Sequence, residues 1–147
     1  VLDVSISLLD PELEVPRYSN SGDAGCDLLA RRPVKIEPGG GRALVPTGLV
    51  IALPDGYAGF VQPRSGLALN HGITCLNSPG LIDSGYRGEI KVLLVNTDPD
   101  EAFSIERGDR IAQLVIQEVA HAQFHVVPLE ELAMTVRGED GFGSSGR

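Results

Sequence analysis

The chain has 147 residues, 42% of them hydrophobic and 22% charged, with 12 basic against 20 acidic side chains and a formal charge of −8. That balance describes one globular domain with a core of ordinary size and excludes a disordered chain. It also argues against a groove that tracks nucleic acid through its phosphates, which needs a basic stripe. The longest apolar run, 48–53, is far short of the ~20 residues of a membrane-spanning helix. No secretory pattern opens the chain, and its start at Val1 points to removal of an initiator residue or short leader.

From the beginning of the chain, Leu2, Val4, Ile6 and Leu8 alternate with Asp3, Ser5 and Ser7, a period of two that predicts a strand. Further strands are predicted at 26–30, 34–36, 43–50, 57–62, 73–76, 90–94, 102–105, 111–117 and 124–127. The segment 111–117 is apolar on most of both faces. Turn signals separate the runs: Pro38-Gly39, Pro54-Asp55-Gly56, Ser78-Pro79-Gly80 and Arg107-Gly108-Asp109. Only 65–69 and 129–133 read as helical. Short strands at regular spacing predict an all-β fold: a sandwich, jelly roll or closed barrel. A boundary falls after Val136, because Arg137–Arg147 holds four glycines, two serines and no aliphatic residue. The expectation is a β domain at 1–136 and a flexible arm at 137–147.

Cys26 and Cys75 stand in apolar contexts without CxxC spacing, as expected of buried thiols in a reducing cytoplasm. His121 and His125 have an H-x3-H spacing, but a strand would carry them about 13 Å apart, too far for one metal. Ten of the twelve basic residues are Arg, whose planar fork suits phosphate and carboxylate.

Gly141-Phe-Gly-Ser-Ser-Gly146 matches the dinucleotide fingerprint in letters only, since no strand precedes it and no helix can follow. The same tail offers an Arg, a ring, two hydroxyls and unhindered N–H groups, a set able to close over a nucleotide. Pro63-Arg-Ser-Gly-Leu-Ala68 enters the first helix and makes either an anion site or a helix start capped by Ser65 with a surface Arg. Asn77-Ser-Pro-Gly-Leu-Ile-Asp-Ser-Gly-Tyr-Arg-Gly88 is the densest group of polar functional residues, on a Gly-rich loop between strands. Its Asp83 is either chemical or an Asx-turn residue.

In order, the chain carries Asp23-Ala-Gly-Cys-Asp-Leu28, Pro63–Ala68, Gly80-Leu-Ile-Asp-Ser-Gly-Tyr-Arg-Gly88, Gly108-Asp-Arg-Ile-Ala-Gln-Leu114 and Arg137-Gly-Glu-Asp-Gly-Phe-Gly-Ser-Ser-Gly146. This set resembles the five motifs of the homotrimeric dUTP pyrophosphatases (dUTPases), in order and spacing and over essentially the whole chain. The resemblance implies a jelly-roll-like β barrel and hydrolysis of dUTP to dUMP and pyrophosphate with Mg2+. It further implies a homotrimer whose three sites are each built by all three chains. On that reading Asp83 is the general base that activates a water for in-line attack on the α-phosphorus. Tyr86 packs under the deoxyribose and excludes a 2′-hydroxyl, and Asn77 reads uracil. Arg64, Ser65, Gly66 and Gln113 hold phosphates, and Asp27 reaches the Mg2+ shell through water. Arg137 and Ser145 clamp the β/γ end and Phe142 stacks on uracil, with Gly143 and Ser144 beside them. Ser144-Ser145-Gly146 replaces the Ser-Thr-Gly of many relatives and keeps the hydroxyl.

Two alternatives share parts of this pattern. A dCTP deaminase places its catalytic glutamate on the strand after the hairpin, where this chain aligns Leu93, which cannot shuttle protons. A dUTPase-like trimer used as a regulatory binding module keeps the same motif residues. Dimensions and charge give neither reading a nucleic acid or membrane partner.

Overall fold

A computed structural model describes residues 1–139 of the chain. Eleven strands and one helix follow in order: β1 (Ser5–Leu8), β2 (Cys26–Leu29), β3 (Val34–Ile36), β4 (Gly41–Pro46), β5 (Leu49–Ala52), β6 (Tyr57–Gln62), α1 (Ser65–His71), β7 (Ile73–Cys75), β8 (Gly80–Ile82), β9 (Lys91–Asn96), β10 (Phe103–Ile105) and β11 (Arg110–Glu118). Two sheets, β2–β11–β6–β8 and β4–β9–β7, and two ribbons, β1–β5 and β10–β3, wrap one core as a jelly-roll-like barrel. All these pairings are antiparallel. No described helix is long and apolar enough to cross a membrane.

Alternation along the strands sends Leu28, Ile36, Val45, Ile51, Ile73, Val92, Leu94, Ile105, Ile111 and Leu114 into the interior, each no more than 3% exposed. Burying one such side chain contributes roughly 1.5–3 kcal/mol. β11 lies between β2 and β6, and its Ile111, Ala112 and Leu114 are buried while Gln113, Val115 and Ile116 are half-buried. A register shift between Arg110 and Ala112 where it meets β2 accompanies burial of the consecutive Ile111 and Ala112. The side-chain amide of Asn96, fully enclosed, donates to the carbonyls of Glu101 (2.8 Å) and Ile36 (3.3 Å) and accepts from Asp98 N–H (3.0 Å). It thereby ties the end of β9 to β3 and the loop before β10.

The predicted strand 43–50 is two strands, because Gly48 takes φ +71° and turns the chain between β4 and β5. The segment read as a loop at 77–88 contains β8, paired to β6. Phe124 and Val126 stand exposed at 91% and 103%, and 124–127 forms no strand among the described residues, since a strand without a partner leaves its ladder groups unpaired. The second predicted helix is a 3-10 turn at Leu129–Glu131. The first runs two residues longer than read, to His71, and stops at Gly72, whose φ of +63° lets its N–H return to the Ala68 carbonyl at 3.1 Å. Both cysteines are buried and unpaired.

Candidate functional site

Six of the residues singled out in the sequence fall into two clefts on the described surface. The first, of about 310 Å³, takes Asn77, Asp83 and Tyr86, with Val61, Leu81 and Leu93 among its apolar lining. β8 pairs Gly80 with Val61 and Ile82 with Gly59, which brings Asp83 to the end of a paired strand, at the start of a tight turn. Tyr86 N–H donates to the Asp83 carbonyl at 3.1 Å and closes that turn. Asp83 and Tyr86 are both exposed to solvent. The Tyr86 hydroxyl donates to the Glu89 carbonyl at 3.0 Å. A Cβ at Gly88 would fall onto the Tyr86 ring, 2.9 Å from Cε2, so only glycine lets the ring lie as it does. At Gly80 a Cβ would crowd Val61 at 3.2 Å and approach Asn77 Nδ2 at 3.5 Å.

The second cleft, of about 550 Å³, takes Asp27, Arg64 and Gln113, with Gln62 and Arg110. Register explains the grouping: Gln113 on β11 lies opposite Asp27 on β2 and opposite Gln62 on β6, so the three form one polar row across the sheet. Asp27 forms ion pairs with Arg64 Nε at 3.0 Å and Arg110 Nε at 3.5 Å. Gln113 Nε2 donates to the Pro63 carbonyl at 3.0 Å, and a Cβ at Gly25 would come within 2.9 Å of its Oε1. Arg64 is the extended N-cap residue of α1 and Ala68 N–H donates to its carbonyl, but no side chain caps the helix. Ser65 is therefore not the capping residue that one reading of the sequence made it. Ser65 and Gly66 are exposed in the first turn, and a Cβ at Gly66 would meet nothing within 4 Å.

The site residues are thus brought together in two groups. Asn77, Asp83 and Tyr86 form one, and Asp27, Arg64 and Gln113 the other. Arg137 lines neither cleft and lies exposed beside the turn in which Gly138 N–H meets the Thr135 carbonyl. Phe142, Gly143, Ser144 and Ser145 lie outside the described residues. Sequence reasoning passed over Gln62, Arg110, Gly25 and Glu89. Arg110 carried a signal, standing beside Asp109 at a strand start, whereas Gln62 and Gly25 acquire meaning only from cross-strand register.

Among the described residues no group of three or more His, Cys, Asp or Glu is arranged to hold a metal ion. Asp27 is paired on both oxygens with arginines, and each oxygen retains a lone pair. That donor set fits a contact to a metal-bound water rather than a direct ligand cage. His121 and His125 are exposed.

Comparison with known proteins adds an independent finding. The family model described as dUTPase matches residues 11–146. The deoxyuridine 5'-triphosphate nucleotidohydrolase of Thermobifida fusca is 57% identical over 97% of this chain and 78% of its own. That of Streptomyces griseus is 54% identical over 99% of this chain and 81% of its own. Among solved structures, the dUTPase of Staphylococcus bacteriophage 80alpha with dUpNHpp superposes with a TM-score of 0.91 at 28% identity, covering 100% of both chains.

Proposed function

The chain belongs to the dUTPase family, and from that premise we propose that it hydrolyses dUTP to dUMP and pyrophosphate. The observation that carries the reading is Asp83 at the start of the β8 turn, in one cleft with Asn77 and Tyr86. There the carboxylate takes a proton from water as the water oxygen attacks the α-phosphorus, and pyrophosphate leaves in line. Asn77 hydrogen-bonds the uracil edge and the cleft around it rejects thymine, while the Tyr86 ring packs under the deoxyribose and excludes a 2′-hydroxyl. Arg64, Ser65, Gly66 and Gln113 hold the phosphate chain. Asp27 would meet the water shell of a Mg2+ held mainly by the triphosphate, and that ion would supply charge neutralisation on the phosphates. The arm beginning at Arg137, with Phe142, Gly143, Ser144 and Ser145, closes over the bound nucleotide.

The separation of the two clefts supports a homotrimer in which neighbouring copies complete each site. In a cytoplasmic setting the activity limits uracil in DNA and supplies dUMP for dTTP synthesis. The experiment is pyrophosphate release from dUTP, dCTP, dTTP and UTP in parallel, with Mg2+ and with EDTA. Mg2+-dependent release from dUTP alone is expected. Ammonia release from dCTP would point to the deaminase alternative. Tight dUTP binding without turnover would favour a regulatory module, a role consistent with the phage 80alpha relative, described as controlling transfer of virulence genes.

A further inference from the structure

Glu89 lines the same cleft as Asp83 and Tyr86, and its side chain is 15% exposed. A carboxylate that deep is costly unless it is paired and hydrogen-bonded. Oε1 of Glu89 accepts from Gly48 N–H at 2.9 Å and from Arg31 Nη1 at 3.3 Å. Arg31 continues the chain of contacts, donating through Nη2 to the Leu9 carbonyl at 3.0 Å, while Leu9 N–H donates to the Gly48 carbonyl at 2.7 Å. The next residue is stitched to the same turn: Thr47 N–H and hydroxyl donate to the Ile90 carbonyl, and Ile90 N–H to that of Leu49. One carboxylate thus joins the end of the Asp83–Tyr86 hairpin to the β4–β5 turn, to the segment after β2 and, through Arg31, to the segment after β1.

The backbone carbonyl of Glu89 is also the acceptor for the Tyr86 hydroxyl. Gly88, between them, has no room for a side chain beneath the ring. We infer that Glu89 is a positioning residue: its carboxylate, clamped by Gly48 and Arg31, holds the carbonyl that sets the Tyr86 ring, and with it the fit of the sugar. The inference rests on the proposed function, in which Tyr86 meets the deoxyribose. It differs from a general stabilising role in one respect. Loosening the clamp moves sugar discrimination, because the ring is tethered through a single hydrogen bond to the carbonyl that the clamp fixes.

The test measures by calorimetry the affinities for the α,β-imido analogues of dUTP and UTP, alongside the melting temperature. The proteins are the full chain and its Glu89→Ala, Glu89→Gln and Arg31→Met variants, with Glu37→Ala as a surface control. Glu89→Ala is expected to cut the deoxy-to-ribo affinity ratio about tenfold, the scale of one hydrogen bond of partly charged character. Glu89→Gln keeps an oxygen for Gly48 N–H and retains most of the ratio, Arg31→Met falls between, and Glu37→Ala changes nothing. An unchanged ratio in Glu89→Ala and Arg31→Met, whatever the melting temperatures, overturns the inference. If Glu89→Ala does not fold, Arg31→Met decides: a reduced ratio supports the clamp and an unchanged one refutes it. A wild type that binds both sugars equally also refutes it. Failure of the wild type to turn over dUTP is a separate result, which strikes the proposed function and leaves the binding ratio readable.

Discussion

Arg64 Nε lies 3.0 Å from the Asp27 carboxylate, so its guanidinium is already engaged within the chain. Arg110 faces the other carboxylate oxygen at 3.5 Å. On the proposed function, a triphosphate entering this cleft would take Arg64 while Arg110 continues to balance Asp27. Arg64→Lys keeps the charge but loses the planar fork that can serve carboxylate and phosphate together. A fall in kcat/KM of about 10- to 100-fold is expected, the range of one charged hydrogen bond. Steady-state kinetics on dUTP check it, and an unaltered value would remove Arg64 from the phosphate site.

Asp83→Asn preserves shape and removes the proton acceptor. Turnover should fall by about 10²–10⁴, the usual contribution of a general base, while calorimetric affinity for an imido analogue of dUTP stays near that of the unmodified protein. Comparable losses in both would mean that Asp83 binds rather than activates.

Val61 and Gln62 are consecutive in β6, yet Val61 lines the cleft of Asp83 and Gln62 that of Asp27 and Arg64. Alternation of a strand forces this, since neighbouring side chains point to opposite faces. On the proposed function, which needs Asp83 and Arg64 in one site, the two would come from different copies. Two inactive variants, Asp83→Asn and Arg64→Ala, unfolded together and refolded as a mixture, should regain about a quarter of full activity from sites that pair two intact halves by chance. No recovery in chromatographically verified mixed trimers would refute shared sites.

Asp10 accepts from Arg107 through both oxygens, at 2.9 to 3.2 Å, and this contact holds its carboxyl below the usual carboxylate value. A group whose folded-state pKa is depressed contributes stability that is present above its unfolded value and is lost as pH falls through the folded one. Asp98, held low by the Glu101 and Asp100 N–H groups, adds to the same acid limb. Melting temperatures should fall as pH drops below about 4, and Asp10→Asn should flatten part of that fall. A variant with the parent's full pH dependence would leave the limb to other groups.

Burial pushes the Cys75 thiol up to about 11 and raises that of Cys26 as well. Neither is a ready thiolate at pH 8. Iodoacetamide should leave both unmodified in the folded protein and label both after denaturation, as read by mass spectrometry. Rapid labelling of the native chain would contradict the burial.

Period-two alternation located most of the strands, because burial of one face requires it whatever the partner, and the all-β class followed from their number and spacing. The same local signal could not show that Gly48 divides 43–50 in two, nor that 80–82 would find β6 as a partner. It also mistook 124–127 for a strand, since alternation records a preference and a strand exists only where another edge completes its hydrogen bonds.

Motif order alone pointed to Asp27, Arg64, Asn77, Asp83, Tyr86 and Gln113 and to the family, since those residue types at those spacings recur with their chemistry. What only the tertiary structure decided was their division between two clefts. Asp27, Gln113 and Gln62 meet through cross-strand register, over separations of 86 and 51 residues, the differences of their positions. Glu89 and Arg31 likewise became partners through packing. Register and packing arise from contacts between distant segments, and no window of neighbouring residues contains both sides of such a contact.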